Sequence, residues 1–141
     1  VIDDYFNLIL YYPSHRITLT SGMLFMTESP GYKIYGTKGC FIKRRSDIQE
    51  ADLIAGKKPN SPGWGAEATE DYGTLYTDMN GIITNKVIPS IPGNYGVFYE
   101  KMADAILNNA LVPASAKEGT NIIRVLEAAR NSAFNKRVVG V

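Results

Sequence analysis

The chain has 141 residues and a mass of 15.5 kDa, with 45% hydrophobic, 21% charged and 11% aromatic positions. That is the profile of one globular domain, large enough to bury a core without covalent staples. Lys and Arg number 15 against 14 Asp and Glu, a net charge of +1, which argues against the concentrated basic field of a dedicated nucleic-acid or membrane-surface binder. A single cysteine, Cys40, and a single histidine, His15, exclude an internal disulfide framework and a cysteine or multi-histidine metal cluster. The longest apolar run, Leu8 to Tyr12, is far short of a membrane span. Beginning Val1-Ile2-Asp3-Asp4, without Met or a charged-then-apolar leader, the chain reads as a piece of something longer.

In chain order, Tyr5 to Tyr12 is aromatic and β-branched-rich, and Ile17 and Leu19 alternate with Thr18 and Thr20. Pro13-Ser14-His15 between them has turn chemistry, so the pair is expected to form a hairpin. Both faces of its first strand carry large apolar groups, so something beyond the local helices should cover it. Tyr32 to Tyr35 and Cys40 to Lys43 flank Gly36-Thr37-Lys38-Gly39, whose glycines would supply positive φ to a second hairpin. Asp47 to Ala55 reads as a short helix capped by Ser46 or Asp47 and stopped by Gly56. Residues 56–66 form the strongest loop signal, and they contain the only tryptophan, Trp64. Met79-Asn80-Gly81 then joins Gly73–Asp78 to Ile82–Ile88 in a third hairpin.

The period changes in the last third. Tyr95, Phe98, Tyr99, Met102, Ala103 and Ile106 recur at helical spacing behind Asn94, a natural cap. After a break centred on Pro113, Ser115 and Glu118 fit a capping box ahead of a second amphipathic helix. Asn135 can end it, and Val138 and Val139 return to strand composition. Strands first and helices last imply a single α+β domain: an open, mainly antiparallel sheet with two long C-terminal helices packed on one face.

The chemistry-bearing signals are sparse. Neither a G-x-G-x-x-G turn nor a P-loop is present. His15 lies in a turn beside Arg16, a solvated position and not that of a triad base. Cys40 lies in a strand as an inert thiol, Lys43-Arg44-Arg45 reads as a solvated strand end, and the scattered carboxylates select no catalytic pair. Trp64, in a Gly/Pro loop, is either an anchor folded onto the core or a ring presented to a ligand, with anchoring slightly ahead. Tyr95 either joins the apolar stripe of its helix or points its hydroxyl into a site near residues 89–94.

Several segments in fixed order carry a resemblance. They are Gly36-Thr37-Lys38-Gly39, Asp47-Ile48-Gln49-Glu50, Lys58-Pro59 leading to Trp64-Gly65, Gly93-Asn94-Tyr95-Gly96-Val97-Phe98-Tyr99, Ala105-Ile106, Val112-Pro113, and Ile122 through Ser132. Together the chain resembles the C-terminal domain of the glucose–fructose oxidoreductase / inositol dehydrogenase / rhizopine-catabolism (Gfo/Idh/MocA) oxidoreductases over nearly its whole length, especially residues 31–139. The resemblance implies an N-terminal Rossmann domain that binds NAD or NADP, a sheet face used for homo-oligomerisation, a sugar, inositol or similar polyol as substrate, and a cytoplasmic enzyme. The family's phosphate-binding turn, its Glu-Lys-Pro lysine and its histidine motif belong upstream of Val1. The chain is therefore expected to be inactive alone and to carry no catalytic, cofactor-binding or metal residue. Trp64 and Tyr95 are carried over as substrate-binding wall residues. No nucleic acid or membrane partner is implied. The alternative is a stand-alone, non-enzymatic binding or assembly module using the same sheet.

Overall fold

A computed structural model describes residues 4–45, 47–59 and 61–141, in two compact units: Val1–Glu28 with Val112–Val141, and Ser29–Leu111. In the first unit, β1 (Tyr5–Tyr11) pairs antiparallel with β2 (Arg16–Gly22) from Tyr5↔Gly22 to Tyr11↔Arg16. The turn is closed by the Tyr12 amide donating to the His15 carbonyl at 3.0 Å. His15 itself is exposed and stacks on Tyr12, with ring centroids 4.5 Å apart. At the hairpin's open end the ring of Phe25 meets Tyr5 edge-on. The helix α3 (Ala116–Asn135) starts at a complete capping box. Ser115 Oγ accepts from the Glu118 amide at 3.2 Å, and a Glu118 oxygen accepts from the Ser115 amide at 2.8 Å. Lys136, at φ 51°, ends the helix in a left-handed turn. Val138 and Val139 form no strand, contrary to their composition.

In the second unit, β3 (Tyr32–Gly36), β4 (Gly39–Lys43), β5 (Gly73–Met79) and β6 (Ile82–Ile88) form an antiparallel meander in that order. The β5–β6 turn has both central residues left-handed, Asn80 at φ 59° and Gly81 at φ 82°. This is the two-residue geometry whose twist matches the flanking strands. The β3–β4 turn departs from expectation, because neither Gly36 nor Gly39 takes positive φ. Gly39 serves close approach instead: a Cβ there would lie 2.3 Å from the Tyr76 carbonyl oxygen on β5. Gly73 is small for a similar reason, since the Phe41 ring lies across it, an aromatic covering a gap in the sheet face.

Three further elements complete this unit: α1 (Gln49–Ile54), a single 3₁₀ turn (Thr69–Asp71) that composition does not reveal, and α2 (Gly96–Asn108). Gly56, at φ 80°, stops α1 as expected. Ser46 lies outside the described residues, but Asp47 Oδ1 accepts the Gln49 amide at 3.1 Å and does the capping. The α+β class with antiparallel pairing stands, its strands divided between a two-stranded and a four-stranded sheet.

Candidate functional site

The second unit buries three side chains among the described residues, Trp64, Gln49 and Asp52, and two of them touch. Trp64 is 6% exposed, and its indole N–H donates to Gln49 Oε1 at 3.1 Å. The same oxygen accepts the Tyr95 backbone N–H at 2.7 Å. The carboxamide nitrogen of Gln49 donates to Asp47 Oδ1 at 3.1 Å, and the Tyr95 hydroxyl reaches Asp47 Oδ2 at 3.4 Å. One buried carboxamide thus joins the start of α1, the loop of residues 56–66 and the start of α2. Both lone pairs of its oxygen face donors, so the orientation of the amide is dictated by its neighbours.

The backbone closes around this carboxamide. The Gly93 amide donates to the Gly65 carbonyl at 3.0 Å. A Cβ on Gly65 would stand 1.9 Å from the Gly93 carbonyl oxygen, and one on Gly93 would stand 2.5 Å from Gln49 Nε2. Gly65 also takes φ 66°, where a side chain is strained regardless of space. Gly65 and Gly93 are therefore small so that the two loops can touch.

Electrostatics follow from these bonds. The Gln49 backbone N–H holds the Asp47 carboxyl below its usual range, helped by the Gln49 side chain and the Tyr95 hydroxyl against the cost of burial. Partial burial and the neighbouring Asp47 charge push the Tyr95 phenol up. Tyr95 is therefore a neutral hydroxyl at neutral pH. Its proton is committed to Asp47, which leaves the phenolic oxygen free to accept from a ligand.

Tyr95 also borders an open groove of about 420 Å³, lined by Leu53, Pro59, Phe98 and Tyr99. The structure thus places Trp64 behind the wall as an anchor and Tyr95, 43% exposed, on its surface. The two are joined through Gln49, which spacing alone does not reveal. The only hints in the sequence are the glycines around Trp64 and before Tyr95.

A second polar contact corrects the reading of the basic run. Lys43, on β4, is 17% exposed and donates to Glu67 Oε2 at 2.5 Å and to the Asp71 carbonyl at 3.0 Å. It staples the strand to the segment after Trp64, because its side chain leaves the sheet toward that segment and not toward solvent. Burial disfavours the Glu67 charge, but the hydrogen bond of Lys43, the nearby Ser90 hydroxyl and the charge of Lys43 together outweigh it and hold the carboxyl below its ordinary range. No group of three or more metal-ligating side chains occurs among the described residues, and no helix is long and apolar enough to cross a membrane.

Comparison with known proteins gives this geometry its context. The chain is 40% identical over 136 residues, 96% of its length, to the NADP(+)-dependent scyllo-inositol 2-dehydrogenase IolW of Bacillus subtilis, of which it covers 38%. It therefore spans about two-fifths of the length of this curated relative. A solved structure of the Bacillus subtilis protein YvaA superposes with a TM-score of 0.94 at 39% identity, covering 98% of this chain and 40% of that one. An oxidoreductase from Bacillus cereus gives a TM-score of 0.81 at 33% identity, covering 92% of this chain and 39% of that one. The family pattern described as "Oxidoreductase family, C-terminal alpha/beta domain" matches residues 1–141. On that match, end to end, the chain belongs to the Gfo/Idh/MocA oxidoreductases as their C-terminal domain.

Proposed function

We propose that this chain is the substrate-side and oligomerisation domain of a cytoplasmic, NAD(P)-dependent oxidoreductase that interconverts a hydroxyl and a carbonyl on a sugar, inositol or similar polyol. The observation that carries the reading is the end-to-end match to the C-terminal family domain, joined to 40% identity with a scyllo-inositol dehydrogenase. The groove supports it chemically. Aromatic faces from Tyr95, Phe98 and Tyr99 suit the apolar C–H faces of a ring polyol, and the Tyr95 oxygen can accept from one of its hydroxyls.

The groove lining offers a dinucleotide no pyrophosphate site. Leu53, Pro59, Tyr95, Phe98 and Tyr99 present neither a cation nor a glycine-rich turn to a pyrophosphate. The proposal therefore assigns NAD or NADP to an N-terminal Rossmann domain of the same protein, and gives the residues here the work of binding, orienting and excluding water. Association through the hairpin is part of the same proposal. Tyr5, Phe6, Ile9, Tyr11, Ile17 and Leu19 are 38–57% exposed across its two faces, so each face offers large apolar side chains to a partner.

The test is an absorbance assay at 340 nm on the full-length protein with inositols and sugars and each nicotinamide. Turnover of a polyol is expected, and Tyr95→Ala should raise its KM about tenfold. Absence of turnover with every polyol, or a Tyr95→Ala variant with unchanged KM, overturns the pocket reading. Sedimentation of the same protein should show a dimer that Ile9→Arg dissociates, and a strictly monomeric wild type removes the association.

A further inference from the structure

We propose that Gln49 is the positioning residue of this pocket: its buried carboxamide sets the indole of Trp64 and the first turn of α2 in one fixed relation, and thereby fixes Tyr95, whose hydroxyl Asp47 holds, at the edge of the groove. This inference rests on the reading of the groove as a substrate pocket.

Gln49 is 3% exposed, so it does not touch a ligand in the groove. It acts through others. Its oxygen receives one N–H from each of two segments far apart in sequence, the Trp64 indole at 3.1 Å and the Tyr95 amide at 2.7 Å. Its nitrogen donates to Asp47 at 3.1 Å. Asp47 in turn receives the Tyr95 hydroxyl at 3.4 Å, which closes a ring of contacts from Gln49 through Asp47 to the phenol and back through the Tyr95 backbone. Tyr95 is thus held at its amide by the carboxamide oxygen and at its hydroxyl by a carboxylate that the carboxamide nitrogen orients. The first turn of α2 has no side-chain cap from Tyr95. Asn94 Oδ1 accepts the Gly96 amide at 2.8 Å, and the Gln49 oxygen supplies a second acceptor, for the Tyr95 amide, at this helix start. The glycines enforce the same arrangement, because a Cβ at Gly93 would meet the carboxamide itself.

A residue of this kind converts packing into orientation. A hydrophobic isostere would leave the Trp64 and Tyr95 N–H donors without their acceptor and take from Asp47 the carboxamide donor, leaving it the backbone N–H of residue 49 and the Tyr95 hydroxyl. The wall would then lose its aim before it lost its fold. A small misplacement of an orienting group is enough to weaken binding tenfold or more.

The experiment compares Gln49→Leu, Gln49→Glu and Tyr95→Ala in the full-length protein by steady-state kinetics and by hydrogen exchange of the segment containing the Tyr95 amide. Gln49→Leu is expected to raise polyol KM about tenfold, to leave the nicotinamide KM within about twofold, and to speed exchange at Tyr95. Gln49→Glu keeps an oxygen to accept both N–H groups but replaces the donor to Asp47 with a second carboxyl against the first. It should therefore keep slow exchange at Tyr95 while the polyol KM stays raised, a split that a general loss of packing would not allow. If Gln49→Leu does not fold, Gln49→Glu decides: wild-type exchange with a raised polyol KM supports the proposal, and wild-type values in both overturn it. Fast exchange in a folded Gln49→Leu with unchanged polyol KM overturns the positioning role while Tyr95→Ala, if its KM rises, keeps the pocket. Unchanged KM in Tyr95→Ala removes the pocket reading and this proposal together.

Discussion

The β1–β2 hairpin and the Gln49 cluster hold chain to chain by opposite means. The hairpin is a backbone device of seven paired positions and one short turn, and most of its large side chains remain exposed. Its contacts lie close in sequence, so ordering them costs little loop entropy. The Gln49 cluster joins residues 47–49, 64–65 and 93–95, with spacings of 15 and 46 residues between hydrogen-bonded partners. It contains the one buried large apolar side chain among the described residues, Trp64. Long-range polar contacts of this kind are specific but unforgiving, because a buried donor or acceptor left alone costs more than its bond contributes. Substitutions should therefore be severe in the cluster and mild in the hairpin.

The largest effect is expected at Gly65. Alanine there would meet the Gly93 carbonyl at 1.9 Å and sit at φ 66°, so Gly65→Ala should cost at least about 3 kcal/mol in denaturant unfolding of the full-length protein. An unchanged midpoint would mean that the two loops do not touch as described.

Next comes Lys43→Met, which strands Glu67 without its cation. Breaking a fully buried pair costs ~3–5 kcal/mol, and the residual exposure of this one lowers the expectation to about 2 kcal/mol at neutral pH. Its pH dependence has a definite sign. Glu67 ionises below its ordinary value of 4.5 in the folded chain. The stability it contributes is therefore complete above that pH and is lost as the pH falls through the folded value. The deficit of Lys43→Met should accordingly shrink in acid, and a deficit constant from pH 7 to pH 3 would remove the ion pair as its cause.

Smaller again is Ser115→Ala, which deletes one half of the capping box and should cost about 1 kcal/mol by thermal unfolding. The mildest change is Ile9→Thr in the hairpin. Half exposed within the single chain, it should shift unfolding by no more than about 0.5 kcal/mol wherever the protein is monomeric. A loss as large as that at Lys43 would show that the hairpin is covered in the full protein and would sharpen the case for association through it.

How much of this was legible depended on distance along the chain. Asn80-Gly81 announces its hairpin and Ser115 with Glu118 announces its helix, because each signal is complete within four residues. The groove was legible only in part: Tyr95 was marked by its place at a helix start, while Leu53 and Pro59 carry no sign that they border it. Gly36 and Gly39 were recognisable as a turn, yet the reason for Gly39 lies on β5, in the Tyr76 carbonyl that a side chain would strike. Lys43 read as solvated because a run of three basic residues usually is, and nothing local shows that Glu67 waits beside the first of them.

The sequence by itself determined the α+β class, the three hairpins, the two long helices with their boundaries, and the family, since turn chemistry, capping and the order of short segments are local properties. Only the tertiary structure decided that Trp64 is an anchor, that Lys43 is a staple, and that Gln49 links Trp64 to Tyr95. A hydrogen bond between residues 15 or 46 positions apart leaves no periodicity for a sequence to show. It exists only once the backbone has brought a donor and an acceptor within about 3 Å, in a place water does not reach.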